Sequence, residues 1–324
     1  MILELKNIGI IREANIKIDG LTLIAGENDT GKTTAGKALF AILRARAFVT
    51  YNKTDDIKQK FEWIDKKIFK NQAVSKENSL IKIADNQLNF IDNIFEISED
   101  KFLSAIFIET PFIWSLYDFF QNVAQLAPMT EVQIRYPYLS WDLFTKLSNE
   151  REKKYAIAKE LIPSIQNIIG GDFIHIRENF IDKYIFKRKK DDKEFELENV
   201  AMGIKYFGIL LALLKNNYIT KKRILIFDEP EVHLHPKWQL ELSKILVELV
   251  KNGVKVLVNS HSPYIIDALK YYADESKIEN NFYLAEKNED ETSTITDATM
   301  DISPIFEKLT KPLRELRKMK LGLK

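Results

Sequence analysis

The sequence predicts an α/β protein organised around a parallel β-sheet, and three observations point to this fold class. The apolar run at residues 21–25 leads into a glycine-rich turn and then into apolar residues at helical spacing. A second all-apolar run, at residues 224–227, ends in the acidic pair Asp228-Glu229. Beyond it, apolar runs alternate with amphipathic segments, which is the pattern of parallel strands connected by helices.

Residues 1–19 predict two strands, because apolar side chains alternate with polar ones at Leu3 and Leu5 and again at Ile16 and Ile18. Gly20 then turns the chain into the buried strand 21–25. The helix that follows the glycine-rich turn is expected to extend to about Ala47.

The turn between that strand and that helix, residues 26–34, matches the pattern G-x-x-x-x-G-K-[ST] of a phosphate-binding loop. Its two glycines permit a backbone that curls its N–H groups toward a polyphosphate, and the helix N-terminus favours the same negative charge. Lys32 would meet the β and γ phosphates, and the Thr33 hydroxyl would be a ligand of Mg²⁺. The predicted cofactors are therefore ATP and Mg²⁺, and the predicted ATP-binding residues are Gly26, Asn28, Thr30, Gly31, Lys32, Thr33 and Thr34.

Residues 49–169 differ in character, since strand-like runs are sparse and apolar residues recur at helical spacing, as in 58–69 and 150–169. Pro163 is expected to kink or split the second of these helices. One strand is predicted, at 105–111, which ends at a proline and returns to the sheet. The sequence thus predicts a mainly helical lobe at 49–169, inserted into a head made of residues 1–48 and 170–324.

Gly170-Gly171 ends the lobe, and the remaining elements follow in order. We expect a strand at 173–179, a hairpin from 184–186 and 195–197, a helix at 198–216 and the strand 224–227. Pro236 and Gly253 mark the start and the end of the next helix. A strand at 254–258, a helix from Pro263, a hairpin of 282–284 with 293–295 and a helix at 305–316 come last.

Two strand ends carry the residues expected to act on the nucleotide. Asp228 follows a buried strand and is the second metal residue beside Thr33, because it can hold Mg²⁺ through water. Glu229 is placed to orient or deprotonate the attacking water. His261 follows the strand 254–258 and, when neutral, can accept a hydrogen bond from that water or sense the γ-phosphate. Glu229 and His261 are the predicted catalytic residues.

These motifs carry a family resemblance. The order of phosphate loop, long insertion, helix with an early glycine, Asp-Glu-Pro-Glu and Ser-His-Ser-Pro resembles the ABC-type ATPases. The runs 229–236 and 260–263 are similar to the soluble SMC-like and OLD-like branch, which includes AAA-type ATPases of bacterial antiphage defence. The resemblance covers residues 1–45 and 170–320, and it implies an ABC-type head fold with N-terminal antiparallel strands.

The resemblance also implies partners and a mechanism. Such ATPases sandwich two ATP molecules between two heads, so it implies a homodimer in which each ATP also meets the partner's signature helix, here 199–205 with Gly203. Met202 stands where the family usually has a serine, which predicts slow hydrolysis. Glu109-Thr110-Pro111 would replace the family's glutamine loop, although a buried strand end explains these residues equally well. The implied setting is antiphage defence with a separately encoded effector protein.

Composition limits the other functions. The 324 residues contain no cysteine, which excludes disulfides, thiolate zinc sites and cysteine catalysis, and the net charge is +1. No apolar run is long enough for a membrane span and no signal peptide is recognisable, which favours the cytoplasm and no membrane partner. Basic stretches at 187–190, 221–223 and in the tail are interpreted as solvated turns, with nucleic-acid binding left open. His233 and His235 are interpreted as part of an interface loop rather than a metal site.

Three alternative functions stay open. A DNA-repair or recombination ATPase would show DNA-stimulated hydrolysis with a steep salt dependence. A transporter ATPase subunit would copurify with a membrane protein, but the serine-glycine-glycine signature is missing. A non-hydrolysing nucleotide sensor is suggested by Met202, and turnover that Glu229→Gln abolishes would exclude it.

Overall fold

One long mixed sheet organises the chain in the computed structural model, which describes residues 1–52, 65–70, 79–83, 86–89, 94–96, 104–126, 136–152, 156–178 and 181–321. Over these residues the strands are β1 (Ile2–Ile8), β2 (Ile11–Lys17), β3 (Leu21–Gly26), β4 (Leu80–Ile83), β5 (Asn86–Asn89), β6 (Ile94–Glu96), β7 (Ser104–Ile108), β8 (Gly171–Glu178), β9 (Ile181–Arg188), β10 (Glu194–Glu196), β11 (Arg223–Asp228), β12 (Lys255–Ser260), β13 (Asn280–Lys287) and β14 (Ser293–Asp297). The helices are α1 (Lys32–Asn52), α2 (Tyr117–Leu126), α3 (Tyr138–Ser148), α4 (Ala156–Ile169), α5 (Met202–Lys215), α6 (Pro236–Lys251), α7 (Pro263–Glu275) and α8 (Ser303–Lys320).

Eleven of the described strands form the main sheet, in the order β6-β5-β4-β1-β2-β14-β13-β3-β12-β11-β7. The segment from β13 to β7 is parallel throughout, with Leu23 beside Val258 and Val258 beside Phe227. In this register β3, β12, β11 and β7 end at the same edge of the sheet. Residues that follow these strands are therefore brought together, which is where open α/β sheets bind their ligands.

The central strands are apolar on both faces because helices cover both. Every residue of β3 is buried, and β11 and β12 are buried from their second residue onward. Leu23, Phe227 and Val258 face one core, which also contains α5, α6 and α7, while Ile24, Ile226 and Leu257 face the other, which contains α1. The continuous apolar runs in the sequence thus reflect this double burial.

The antiparallel part of the sheet departs from the sequence prediction. The expectation of one strand within 49–169 is wrong, because β4, β5 and β6 also lie there and extend the sheet from the edge of β1. The sequence of β5, Asn-Gln-Leu-Asn, has a single apolar residue and so offers no alternation to detect. The predicted strand that returns from the lobe is confirmed as β7, which pairs in parallel with β11.

A second, three-stranded sheet of β8, β9 and β10 precedes α5, and it contains the predicted hairpin. The predicted closing hairpin is confirmed as β13 and β14. Pro163 does not split its helix, since α4 continues through it. The apolar stripe of α4 at Ile157, Leu161, Ile165 and Ile169 is buried, and this packing outweighs the lost backbone hydrogen bond. Most of the predicted helix 58–69 lies outside the described residues.

Within the described part of the chain, none of the helices combines the length and the apolar character needed to cross a bilayer.

Candidate nucleotide-binding site

The loop between β3 and α1 is closed upon itself. Thr30 Oγ1 donates a hydrogen bond to the Glu27 carbonyl oxygen at 2.9 Å, and Lys32 Nζ donates to the same oxygen at 2.6 Å. Gly31 has φ +88°, and a Cβ there would lie 2.7 Å from Ile11 Cγ1. Both the backbone angle and the space therefore require glycine at this position.

Neighbouring strands support the loop from outside. A Cβ on Gly26 would collide with the Ala285 carbonyl oxygen on β13. The acidic side chains of the loop form ion pairs away from its interior, with Lys287 Nζ 2.7 Å from Asp29 and Lys308 Nζ 4.0 Å from Glu27. The loop is thus held by β2, β13 and α8, and it leads directly into the N-terminus of α1, where Lys32 begins the helix.

Lys32 is the buried cation of the site, with its side chain 3% exposed. Burial lowers the pKa of Lys32, and the acidic groups of Glu229 and Asp228 oppose this shift. Its Nζ lies 4.0 Å from Glu229 Oε1. A buried ammonium group is costly unless anions compensate it, and a bound polyphosphate would supply that compensation.

Asp228 is a buried carboxylate that receives two side-chain donors. Thr33 Oγ1 lies 2.9 Å and 3.0 Å from its two oxygens, and Asn259 Nδ2 donates at 2.7 Å. Burial raises the pKa of Asp228, while the hydrogen bonds from Asn259 and Thr33 lower it. A hydroxyl and a carboxylate, both hard oxygen donors, fit Mg²⁺ better than a softer metal.

Glu229 has an unusual backbone conformation for a residue with a side chain, φ +48° and ψ +53°. Its N–H donates to the Asn259 carbonyl oxygen at 2.9 Å, so the turn is fixed by the neighbouring strand. Strained backbone of this kind persists where the surrounding structure imposes it. Here it directs a partly exposed carboxylate toward Lys32, whereas Asp228 stays buried.

His261 completes the group at the edge of the sheet. Its Nδ1 lies 3.6 Å from Glu229 Oε1 and 3.4 Å from Glu231 Oε1, and its side chain is 39% exposed. The structure therefore brings together five of the residues singled out from the sequence, namely Lys32, Thr33, Asp228, Glu229 and His261. It also places Asn28 on the exposed side of the loop and Thr34 beside Gly9.

Gly203 lies apart from this group, in the first turn of α5. A Cβ there would be 2.8 Å from the ring of Trp238 and 3.3 Å from the His233 carbonyl oxygen. The helix begins at Met202 rather than at 198, because residues 197–199 form a separate 3₁₀ turn. The start of α5 thus packs on the segment that follows Glu229 in the same chain.

Three further residues near the site were not predicted as site residues. Glu231 is buried and accepts three hydrogen bonds from residues 260–262. Gln239 Oε1 accepts a hydrogen bond from the Ser262 hydroxyl at 2.6 Å. Lys37 lies on α1 one turn after Thr33, with Nζ 4.0 Å from Glu109 Oε1. The i, i+4 spacing of Thr33 and Lys37 was the sequence pattern that could have predicted Lys37, because residues four apart share one face of a helix.

Glu109 follows β7, and burial raises its pKa, with a smaller contribution from Asp228 in the same direction. The neighbouring Thr110 Oγ1 lies 3.2 Å from His233 Nε2. The side chain of His235 accepts the Lys237 N–H at the start of α6. Among the described residues no cluster of three His, Asp or Glu side chains is arranged to hold a metal ion.

Comparisons with known proteins agree with this architecture. The family model described as "AAA domain, putative AbiEii toxin, Type IV TA system" matches residues 65–267, more than half of the chain. The match includes Asp228, Glu229 and His261 but not the loop at 26–34. The "Uncharacterized protein MJ1542" of Methanocaldococcus jannaschii is 28% identical over 116 residues, which are 36% of this chain and 14% of that protein. The alignment thus spans only a small part of the relative's length.

Two solved structures share the fold over nearly the whole chain. An SMC head bound to the C-terminal winged-helix domain of ScpA has a TM-score of 0.53 at 12% identity, covering 93% of this chain and 98% of that one. The SMC head of Pyrococcus furiosus with an extended coiled coil, bound to the C-terminal domain of ScpA, has a TM-score of 0.51 at 15% identity and covers 98% of each chain. The chain therefore belongs to the AAA domain family that the matching model describes, and it has the fold of an SMC head.

Proposed function

We propose that the chain binds and hydrolyses Mg²⁺-ATP at the edge of its main sheet. The observation that carries this proposal is the connected group of Lys32, Thr33, Asp228, Glu229 and His261 beside the glycine loop. A phosphate loop supported by a hydroxyl–carboxylate pair is the arrangement that phosphoryl transfer requires.

Each residue has a defined task in this proposal. Lys32 and the first amides of α1 hold the β and γ phosphates, while Thr33 and Asp228 hold the metal ion. The metal, when bound, neutralises the charge that develops on the phosphate oxygens. Glu229 accepts a proton from the attacking water or orients it, since its carboxylate is the one that reaches solvent at this site. His261, whose Nδ1 is 3.6 Å from Glu229 Oε1, would contact the terminal phosphate.

The proposal includes a head-to-tail dimer of two heads, residues 1–48 and 170–324, with residues 49–169 as a lobe that passes the motion to a partner. The start of α5 is partly exposed at Met202 and Gly203, so that a second copy could present it to the nucleotide. Met202 offers no hydroxyl to the γ-phosphate, and we therefore expect slow turnover. The Gly203 N–H and the helix dipole remain available to the phosphate.

The proposed setting is bacterial antiphage defence in the cytoplasm, together with a separately encoded effector. The description of the matching family, which names a toxin of a type IV toxin–antitoxin system, favours this setting. DNA binding stays the second candidate. The basic hairpin offers it little support, because Arg188 pairs with Asp191 and Lys187 with Asp192.

The test is an ATPase assay with Mg²⁺ on the wild-type protein, Glu229→Gln and the control Glu241→Gln on the surface of α6. We expect wild-type turnover to fall about 100-fold or more in Glu229→Gln, on the scale of general-base catalysis, and to be unchanged in the control. Equal rates in wild type and Glu229→Gln would contradict the assignment.

The dimer is tested by size-exclusion chromatography of Glu229→Gln, which should elute at twice the monomer mass when ATP is added. A monomer at saturating ATP would exclude the proposed dimer. Hydrolysis stimulated by DNA and lost with added salt would favour the second candidate.

A further inference from the structure

A buried carboxylate outside the five-residue group holds the backbone that carries His261. Glu231 is 6% exposed, and its Oε1 accepts hydrogen bonds from Ser260 Oγ at 2.8 Å, His261 N at 2.6 Å and Ser262 N at 3.1 Å. Burying a carboxylate is costly unless donors compensate it, so the three donors and the carboxylate stabilise each other. This side chain links the turn after β11 to the turn after β12.

The segment 260–262 has one local hydrogen bond, from Ser262 N–H to Ser260 Oγ at 3.0 Å, and its other side-chain contacts come from outside the segment. Ser262 is the N-cap residue of α7, yet its side chain makes no capping hydrogen bond. Its hydroxyl instead donates to Gln239 Oε1 at 2.6 Å, and Gln239 Nε2 donates to the Leu234 carbonyl oxygen at 2.9 Å. N-cap serines usually bond to their own helix, so this segment gives up a local contact for contacts to the segment that follows Glu229.

The arrangement sets the spacing between Glu229 and His261. Pro230 joins Glu229 to Glu231 and restricts the backbone between them. Glu231 Oε1 accepts the His261 N–H and also lies 3.4 Å from the imidazole Nδ1, which is 3.6 Å from Glu229 Oε1. We infer that Glu231 is a positioning residue, whose carboxylate fixes residues 260–262 so that His261 faces Glu229 and the position of the terminal phosphate. This inference rests on the proposed function of the same site.

The experiment compares Glu231→Ala, Glu231→Gln and the surface control Glu241→Gln by steady-state ATP hydrolysis. Glu231→Ala should lower kcat roughly 30- to 100-fold with KM for ATP changed less than about threefold, as expected when a reacting group is displaced by about 1 Å. Glu231→Gln keeps an oxygen for the three donors and should recover about tenfold of that loss. A kcat of Glu231→Ala within about threefold of wild type would overturn the inference.

A double-mutant comparison separates positioning from a general loss of structure. If Glu231 acts through His261, then Glu231→Ala added to His261→Ala should lower kcat by less than about threefold further. The same 30-fold loss in both backgrounds would show that Glu231 acts elsewhere and would overturn the inference. Should Glu231→Ala fail to fold, Ser260→Ala removes one of the three donors, and its loss of kcat should likewise vanish in the His261→Ala background.

Two readouts do not depend on turnover. In Glu231→Ala the amide of His261 should exchange with deuterium about tenfold faster than in wild type, because its acceptor is gone, whereas Ser262 N–H keeps Ser260 Oγ as a second acceptor at 3.0 Å. The ratio of ADP to ATP dissociation constants should also fall toward one, since His261 no longer meets the terminal phosphate. A wild-type protein that binds ATP without hydrolysing it would refute the proposed hydrolysis, and these two readouts would still test the role of Glu231. If neither the exchange rate nor the ratio of dissociation constants changes in Glu231→Ala, the inference about Glu231 is overturned.

Discussion

The contact between α5 and β8 leads to a sharp prediction about Gly208. A Cβ on Gly208 would lie 2.6 Å from Phe173 Cε2 and nearer still to Phe173 Cζ, whereas ordinary contacts begin at 3.4 Å. Phe173 is fully buried, and its ring packs against Trp114 at 5.5 Å and Phe186 at 5.8 Å between centroids. The ring has no free space to occupy, so Gly208→Ala must move α5 away from the second sheet.

The expected cost follows from two opposing terms. Overpacking a filled core costs about 1–3 kcal/mol or more, and the better helix propensity of alanine offsets about 1 kcal/mol. We expect Gly208→Ala to lower the free energy of unfolding by up to about 2 kcal/mol, which corresponds to a fall in Tm of up to about 3 °C for a chain of this size. Thermal melts followed by circular dichroism, with urea unfolding as a second measure, provide the test.

A double-mutant cycle identifies the cause. Phe173→Leu should cost at least about 1 kcal/mol less in the Gly208→Ala background than in wild type, because it removes the clashing ring atoms. Gly170→Ala is the matched control, since nothing lies within 4 Å of a Cβ at Gly170 and its φ of +65° makes the strain purely local. A Tm of Gly208→Ala at or above that of wild type, or additive effects with Phe173→Leu, would refute the reasoning.

Three further predictions concern the site and a buried acid. Lys32→Ala should weaken ATP binding about 100-fold in a fluorescent-nucleotide titration, because it removes the buried charge that meets the phosphates, and Lys244→Ala should not. Asn259→Ala removes a hydrogen bond to the Asp228 carboxylate and should cost about 1.5–3 kcal/mol in urea unfolding. Burial raises the pKa of Asp65 to about 6, against 3.8 for the free side chain. Between these two pH values the folded state keeps a proton on Asp65 that the unfolded state has released. As pH rises from about 4 to 6, the free energy of unfolding of wild type should therefore fall by up to about 3 kcal/mol relative to that of Asp65→Asn, with no further change above pH 7.

The centre of the fold was predictable because its physical requirements leave marks in the sequence. A parallel strand covered by helices on both faces must be apolar at every position, as in β11, and its carboxyl end must meet those of its neighbours. The loop at 26–34 was recognisable because a curled backbone needs glycine where φ is positive, as at Gly31. These two rules together predict that Lys32 and Asp228 lie close to each other.

Other features depend on contacts that no local pattern reports. β4 pairs with the edge of β1, some 80 residues earlier in the chain, and β5 and β6 are added to β4 in turn, so tertiary pairing anchors these strands. α4 tolerates Pro163 because its buried stripe packs on the core. In the sequence Glu231 is simply another acidic residue in the run 228–231. Its role becomes visible only in the structure, where residues 260–262 donate hydrogen bonds to it.

The support of the phosphate loop by Ala285 and Ile11 has a thermodynamic consequence. A loop packed against two strands has few alternative conformations, so we expect that binding of a nucleotide would carry little penalty for ordering it. Little of the binding free energy from phosphate contacts would consequently be needed to order the phosphate loop. That free energy would then be available for the proposed association of a second subunit at α5.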